Sequence, residues 1–248
     1  MANLFVFLMF KIYRFKENLL WTVDENGYYS DPTSRFIAYE NPVYLGPNTT
    51  RFELEALKSA LAIAEASGRI LILPSFHCCS GCEASSRGKC SSPHFRCSLL
   101  SVLRISSFDR VFGNRYREHS FLSNSLVADR IKRSVTDRPL FINASTLPEV
   151  RHSVDENNVQ VLNVANSSNG AALTEVVRWI SQYNETAVIR FHSIYGSSVD
   201  WASDAKFGFK LRRKFDIAFD CSEYEQWDRN MLNLAKMWPG RNSTKHGN

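Results

Sequence analysis

The sequence predicts an α/β, Rossmann-like fold, in which a mostly parallel sheet carries helices on both faces. Three successive features of the first third predict it. An apolar stretch from Arg35 to Glu40 reads as a short strand, ended by turn chemistry at Asn41-Pro42 and Leu45-Gly46-Pro47-Asn48. A helical period follows, with Leu54, Leu57, Leu61 and Ala64 recurring between Phe52 and Ala66 and Gly68 placed as the stop. Ile70-Leu71-Ile72-Leu73 is then a continuous apolar run, the pattern of a parallel strand buried on both faces.

Strand, helix and buried strand make a βαβ unit, and the alternation resumes later. Pro139 to Ile142, Val159 to Val164 and Thr186 to Phe191 are strand candidates, with an amphipathic helix from Ala171 to Tyr183 before the last. A basic, aromatic stretch runs from Phe207 to Phe219, and Tyr224, Trp227, Met231, Leu234 and Trp238 repeat on one helical face before Pro239-Gly240. Between Ser98 and Ser134 the period is poor, leaving only short helices near Leu99 to Leu103 and Val127 to Lys132, as in an insertion.

These patterns divide the chain into an N-terminal segment, 1–34, and a Rossmann-like domain, 35–248, with a Cys-rich insertion at 77–97. In the N-terminal segment, Leu4 to Phe10 is an apolar run followed by Lys11 and Arg14, without a basic leader or a small-residue cleavage site. It reads as a buried strand or as the stump of a truncated signal or anchor, and contact with a membrane is expected only through such an anchor.

Composition sets the outer limits. With 248 residues, 44% hydrophobic and 22% charged, the chain is too apolar for disorder and too evenly charged for a membrane bundle. Basic residues exceed acidic ones by 30 to 25 and are interleaved with them; the stretch from Arg104 to Arg138 is the nearest to a basic patch. No zinc-finger spacing, RNP-like aromatic motif or basic helix accompanies the charge, so no nucleic-acid partner is expected.

Five of the six cysteines, Cys78, Cys79, Cys82, Cys90 and Cys97, fall close together, and Cys221 stands apart. Either thiolates, with His77, surround a zinc ion, or oxidised pairs staple an irregular loop. N-x-S/T sequons at Asn48, Asn143, Asn166, Asn184 and Asn242 favour the oxidising compartment and hence disulfides, with no metal.

Three stretches carry candidate chemistry. The loop from Glu40 to Thr50 lies beyond a strand's carboxyl end, where α/β proteins bind ligands, yet has neither a dinucleotide fingerprint nor a P-loop. Tyr116-Arg117-Glu118-His119 places a guanidinium, a carboxylate and an imidazole in succession. Arg117 could bind a diphosphate, and Glu118 or His119 could act as general base; a structural ion pair with a buried histidine is the competing reading. Arg190 and His192 would point the same way from a strand end, either toward a nucleotide diphosphate or, for His192, into the core. No D-x-D, G-x-S-x-G or H-E-x-x-H motif is present.

Phe36-Ile37-Ala38-Tyr39, the Gly46-Pro47-Asn48 loop and Glu55 to Ala64, leading through Gly68-Arg69 into Ile70 to Pro74, resemble the N-terminal half of protein O-fucosyltransferases. That resemblance implies a GDP-sugar site involving Asn48, Arg190 and His192. The family's H-x-R order stands here as Arg190-Phe191-His192, and the acidic residue some members carry before the loop glycine is Leu45. Glu53 to Val135, with Phe76-His77-Cys78-Cys79 and Arg117-Glu118-His119-Ser120, is similar to the C-terminal region of extensin-type arabinosyltransferases and related nucleotide-diphospho-sugar transferases. In that family the D-x-D domain lies upstream.

The resemblances imply a glycosyltransferase, or one domain of it, as half of a GT-B type pair in the Golgi or ER lumen or secreted. It would use a nucleotide sugar as co-substrate, without a cofactor, and a protein or glycan acceptor. The alternative is a non-catalytic accessory or carbohydrate-binding domain of a larger glycosyltransferase.

Overall fold

The computed structural model describes residues 2–41, 45–46, 49–77, 96–143, 147–164, 166–167, 170–195, 199–201 and 204–219. Its helices are α1 (Ala2–Glu17), α2 (Thr49–Ala66), α3 (Ile105–Phe112), α4 (Asp129–Arg133), α5 (Pro148–His152), α6 (Leu173–Ile180) and α7 (Ala205–Ala218). Its strands are β1 (Phe36–Tyr39), β2 (Ile70–Ile72), β3 (Phe76–His77), β4 (Arg96–Cys97), β5 (Tyr116–Arg117), β6 (Leu140–Ile142), β7 (Gln160–Leu162), β8 (Asn166–Ser167), β9 (Gly170–Ala172), β10 (Val188–Ser193) and β11 (Val199–Asp200).

Six strands form one sheet in the order β5-β2-β1-β10-β6-β7, and every neighbouring pair is parallel. This is the α/β Rossmann-like architecture expected from the apolar runs. In register, Ala38 of the central β1 lies between Ile72 of β2 and Arg190 of β10. A small sheet, β11-β9-β8, and the β3-β4 hairpin lie outside it. The hairpin pairs Phe76 with Cys97 and His77 with Arg96.

Helix α2 begins slightly earlier than its apolar period suggests and packs small residues against the sheet: Ala56, Ala60, Ala62 and Ala64 are buried beside Leu57, Leu61 and Ile63. Burying each larger side chain contributes about 1.5–3 kcal/mol, while the alanines let helix and sheet approach closely. Gly68 ends the helix at φ +69°, with Arg69 N–H donating to Ala64 C=O at 2.9 Å and Gly68 N–H to Glu65 C=O at 3.4 Å. That is a Schellman stop, and glycine takes the left-handed position without a Cβ clash.

Two cores flank the sheet. Ile37, Leu71, Ile189 and Phe191 pack with α2, α3, α6 and α7, and Phe36, Ile72 and Val188 pack with Tyr29, Phe121, Val127 and Ile131. The stretch 98–134 is therefore part of the fold rather than an insertion on it. It supplies the edge strand β5 and helix α3, whose Ile105, Phe108 and Phe112 are buried. Its period is hard to read because β5 has two residues and α3 only eight.

The apolar run Leu4 to Phe10 lies in a helix, not a strand. Tyr13 and Glu17, one turn apart, face inward; Tyr13 joins the main core and its ring lies 6.5 Å from that of Tyr116. Among the described residues no helix is long and apolar enough to cross a membrane. The stretch Phe207 to Phe219 lies almost entirely in α7, capped by the Asp204 carboxylate accepting from Phe207 N–H at 2.9 Å. The helix expected over Tyr224 to Trp238 lies outside the described residues.

Candidate functional site

Because β2, β1 and β10 run in parallel, their carboxyl ends open on one edge, where strand ends leave a crevice. A cavity of about 450 Å³ lies there, walled by Ala38, Glu40, Ile72, Lys132, Thr136 and Arg190. The register explains its shape, since the small Ala38 sits between two longer neighbours and leaves room above the sheet. Arg190 Nη2 meets Glu40 Oε1 at 3.0 Å, with the side chains 45% and 63% exposed. An ion pair so open to water contributes only about 0–1 kcal/mol, so an incoming anion can replace Glu40 on Arg190 at little cost. Arg190 is held from behind: its N–H donates to Thr136 Oγ1 at 3.1 Å. Lys132, from the last turn of α4, adds a second cation to the wall.

His192 does not share this cavity. The β10–β6 register shifts between Phe191 and Ser193, and the His192 ring lies edge-on to Phe141, 6.4 Å between centroids. Simple alternation along an unbroken strand would have aligned it with Arg190; the bulge breaks that alternation. Its buried Nε2 has no hydrogen-bond partner. Asn48 lies outside the described residues.

The Arg117-Glu118-His119 trio is placed elsewhere. β5 stands three strand positions from β10, about 14 Å at the usual inter-strand spacing, so Arg117 and Arg190 do not clamp one ligand. Arg117 is buried; it donates to the backbone carbonyls of Tyr28, Asn114 and Tyr116, and its guanidinium lies 4.0 Å from the Tyr28 ring centre. Glu118 is fully buried, and its carboxylate accepts from the Tyr28 hydroxyl at 2.7 Å and the Tyr29 hydroxyl at 3.2 Å. Burial, reinforced by the Glu118 charge, pushes both tyrosine hydroxyls well above the usual range. Burial also draws the neighbouring Lys16 down, against the pull of Glu118. Arg117 and Glu118 thus tie the N-terminal segment to the sheet edge. Of the trio only His119 reaches solvent, and its Nδ1 lies 3.3 Å from Glu17 Oε1.

A second buried cluster on this edge centres on Glu53, which the sequence reading did not single out. Its carboxylate accepts from His77 N–H, lies 2.7 Å from His77 Nδ1, and accepts from the Tyr195 hydroxyl at 3.1 Å. Burial and Glu53 together raise the Tyr39 and Tyr195 hydroxyls far above their ordinary values. The available signal was a carboxylate one turn before Leu57 on an otherwise apolar helix stripe.

Cys97 lies in the hairpin; Cys78, Cys79, Cys82, Cys90 and Cys221 lie outside the described residues. Of the sequons, Asn143 and Asn184 are exposed, Asn166 begins β8, and Asn48 and Asn242 are outside the described residues. Among the described residues no three His, Cys, Asp or Glu side chains gather as a metal site. Fold and edge together define an α/β Rossmann-like protein with a cation-walled crevice at the strand ends. Comparison with known proteins finds no matching family model, no similar curated protein and no similar solved structure.

Proposed function

We propose that this chain is the nucleotide-sugar-binding domain of a glycosyltransferase of the secretory pathway, working in the Golgi or ER lumen or after secretion. The observation that carries the reading is the carboxyl-edge cavity, where Arg190 and Lys132 face an open volume and, among the described residues, the Arg190 guanidinium pairs with an exposed carboxylate. A sugar-nucleotide diphosphate supplies two negative groups at the spacing a guanidinium and an ammonium can share, and Arg190 can meet one bidentately. The exposed sequon asparagines Asn143 and Asn184 support a lumenal location. The clustered cysteines, Cys97 among them, are proposed to pair as disulfides there.

In the transfer, an acceptor hydroxyl oxygen bonds to the anomeric carbon as the bond from that carbon to phosphate breaks. The nucleotide diphosphate leaves with the electron pair, neutralised by Arg190 and Lys132. The hydroxyl proton passes to a general base at the acceptor.

A thermal-shift and calorimetry series with UDP- and GDP-sugars, with and without Mn²⁺, tests the reading. One nucleotide sugar should raise the melting temperature, and Arg190→Ala should weaken its binding by about 10–100-fold, the loss of a charge-assisted contact worth roughly 1.5–3 kcal/mol. Silence toward every donor, with retained glycan binding, would favour the accessory carbohydrate-binding domain instead.

A further inference from the structure

The outward side of α1 is apolar where a surface helix is ordinarily polar. Tyr13 and Glu17 fix one side of the helix on the protein, and Leu8 and Phe15, seven residues apart, stand exposed on the opposite side. The turn that ends the helix adds to them: Leu19, Leu20 and Val23 are exposed, Leu20 by 64%, and Trp21 beside them is half-buried. Among the described residues six large apolar side chains are exposed, and five of them lie between Leu8 and Val23. Such clustering, unlike scattered single residues, marks a contact surface.

The turn itself holds two of these leucines out. Leu20 N–H donates to Phe15 C=O at 2.8 Å and Leu19 N–H to Lys16 C=O at 3.0 Å, which is a Schellman stop. Its left-handed position, ordinarily a glycine, is taken by Leu19 at φ +59°. A leucine there is strained, and strain kept at an exposed apolar residue is explained by a contact that the side chain makes outside the chain.

Charge selects the occupant. Between Leu8 and Val23 the basic side chains are Lys11, Arg14 and Lys16, and the one acid, Glu17, is buried; the first exposed acid, Glu25, lies past the end of the patch. Arg14 stays half-exposed while its Nη1 meets Glu17 Oε2 at 3.4 Å. A second copy seated on this face by a two-fold axis would bring Lys11 and Arg14 against their own counterparts, with no exposed acid of the patch to separate them. An anionic bilayer surface meets both demands, since its interface takes leucine and phenylalanine while its headgroups take lysine and arginine. The helix lies along such a surface rather than across it, because Tyr13 belongs to the core.

We propose that α1 and the turn to Val23 dock the protein on an anionic membrane surface, with Phe15, Leu19 and Leu20 entering the interface. This goes beyond the nucleotide-sugar reading and does not depend on it.

Co-sedimentation of the full chain with vesicles of phosphatidylcholine alone, and of equal parts phosphatidylcholine and phosphatidylglycerol, tests the proposal. The mixed vesicles should bind at least tenfold more tightly than the neutral ones, and raised salt should remove most of that difference. Lys11→Gln should weaken binding to mixed vesicles by about fivefold, the share of one basic side chain near an anionic surface. Leu19→Gly and Leu20→Ser should each weaken it at least fivefold. Glycine suits the left-handed stop, so Leu19→Gly should melt at or above the parent's temperature, which separates lost contact from lost folding. Phe209→Ser removes the exposed apolar side chain that lies in α7, outside the patch, and should leave vesicle binding unchanged. Any nucleotide-sugar response of the parent should persist in Leu20→Ser, so the two readings fail separately. No binding to the mixed vesicles, equal losses from Phe209→Ser and Leu20→Ser, or a dimer that Leu20→Ser abolishes in place of vesicle binding would overturn the proposal.

Discussion

Replacing Glu118 separates a structural role from a catalytic one. Its carboxylate is fully buried, receives two tyrosine hydroxyls, and supplies a negative field to the buried Arg117 and the half-buried Lys16. Glu118→Ala leaves two donors without an acceptor and two cations without their nearest counter-charge. Removing one partner from such a buried set costs about 3–5 kcal/mol. In a chain of this length about 2–4 °C of melting temperature is lost per kcal/mol, so a fall of roughly 6–20 °C is expected. Glu118→Gln keeps one carbonyl acceptor and should fall by about half as much. Tyr28→Phe should cost about 1–2 kcal/mol alone and less when added to Glu118→Gln, because the two share one bond. Differential scanning calorimetry measures all three. A Glu118→Gln protein melting within about 2 °C of the parent would refute the structural assignment, and lost transfer activity at unchanged stability would return Glu118 to the catalytic role.

Three further outcomes are expected. Gly68→Ala forces a Cβ into the left-handed stop of α2 and should destabilise by about 1 kcal/mol, read as a lower denaturant midpoint at unchanged slope. Tyr13→Ala empties a core position shared with Tyr116 and should cost about 3–5 kcal/mol, so proteolysis should also begin earlier; an unaffected variant would mean that α1 is not part of the folded core. The hydroxyls of Tyr13, Tyr28, Tyr29, Tyr39, Tyr116 and Tyr195 are all raised, chiefly by burial. A raised folded value favours the protonated form, so the associated stability is intact below the ordinary tyrosine range near pH 10 and is lost as pH climbs past it. Ultraviolet titration should therefore show these six ionising only as the protein unfolds in alkali.

The βαβ unit at Phe36 to Ile72 was legible because both of its signals are local. Continuous apolar runs mark strands buried on both faces, and Gly68 stops the helix between them. Local signals also named Arg190. They did not separate it from His192, because the bulge in β10 arises from pairing with β6. Nor did they show that Arg117 and Glu118 are consumed by Tyr28 and Tyr29, residues almost ninety positions earlier in the chain. Glu53 stayed hidden for the same reason: its partners His77 and Tyr195 reach it only when two strand ends meet one helix.

The sequence by itself determined the fold class and five of the six strands of the central sheet, all but the two-residue β5, since periodicity and turn chemistry are properties of neighbouring residues. Only the tertiary structure decided which charged groups remain available. A guanidinium or carboxylate is reactive or inert according to what packs around it, and that is set by sheet order: the interior strand β10 opens Arg190 on a cavity, while Arg117 and Glu118 are buried at the edge strand β5.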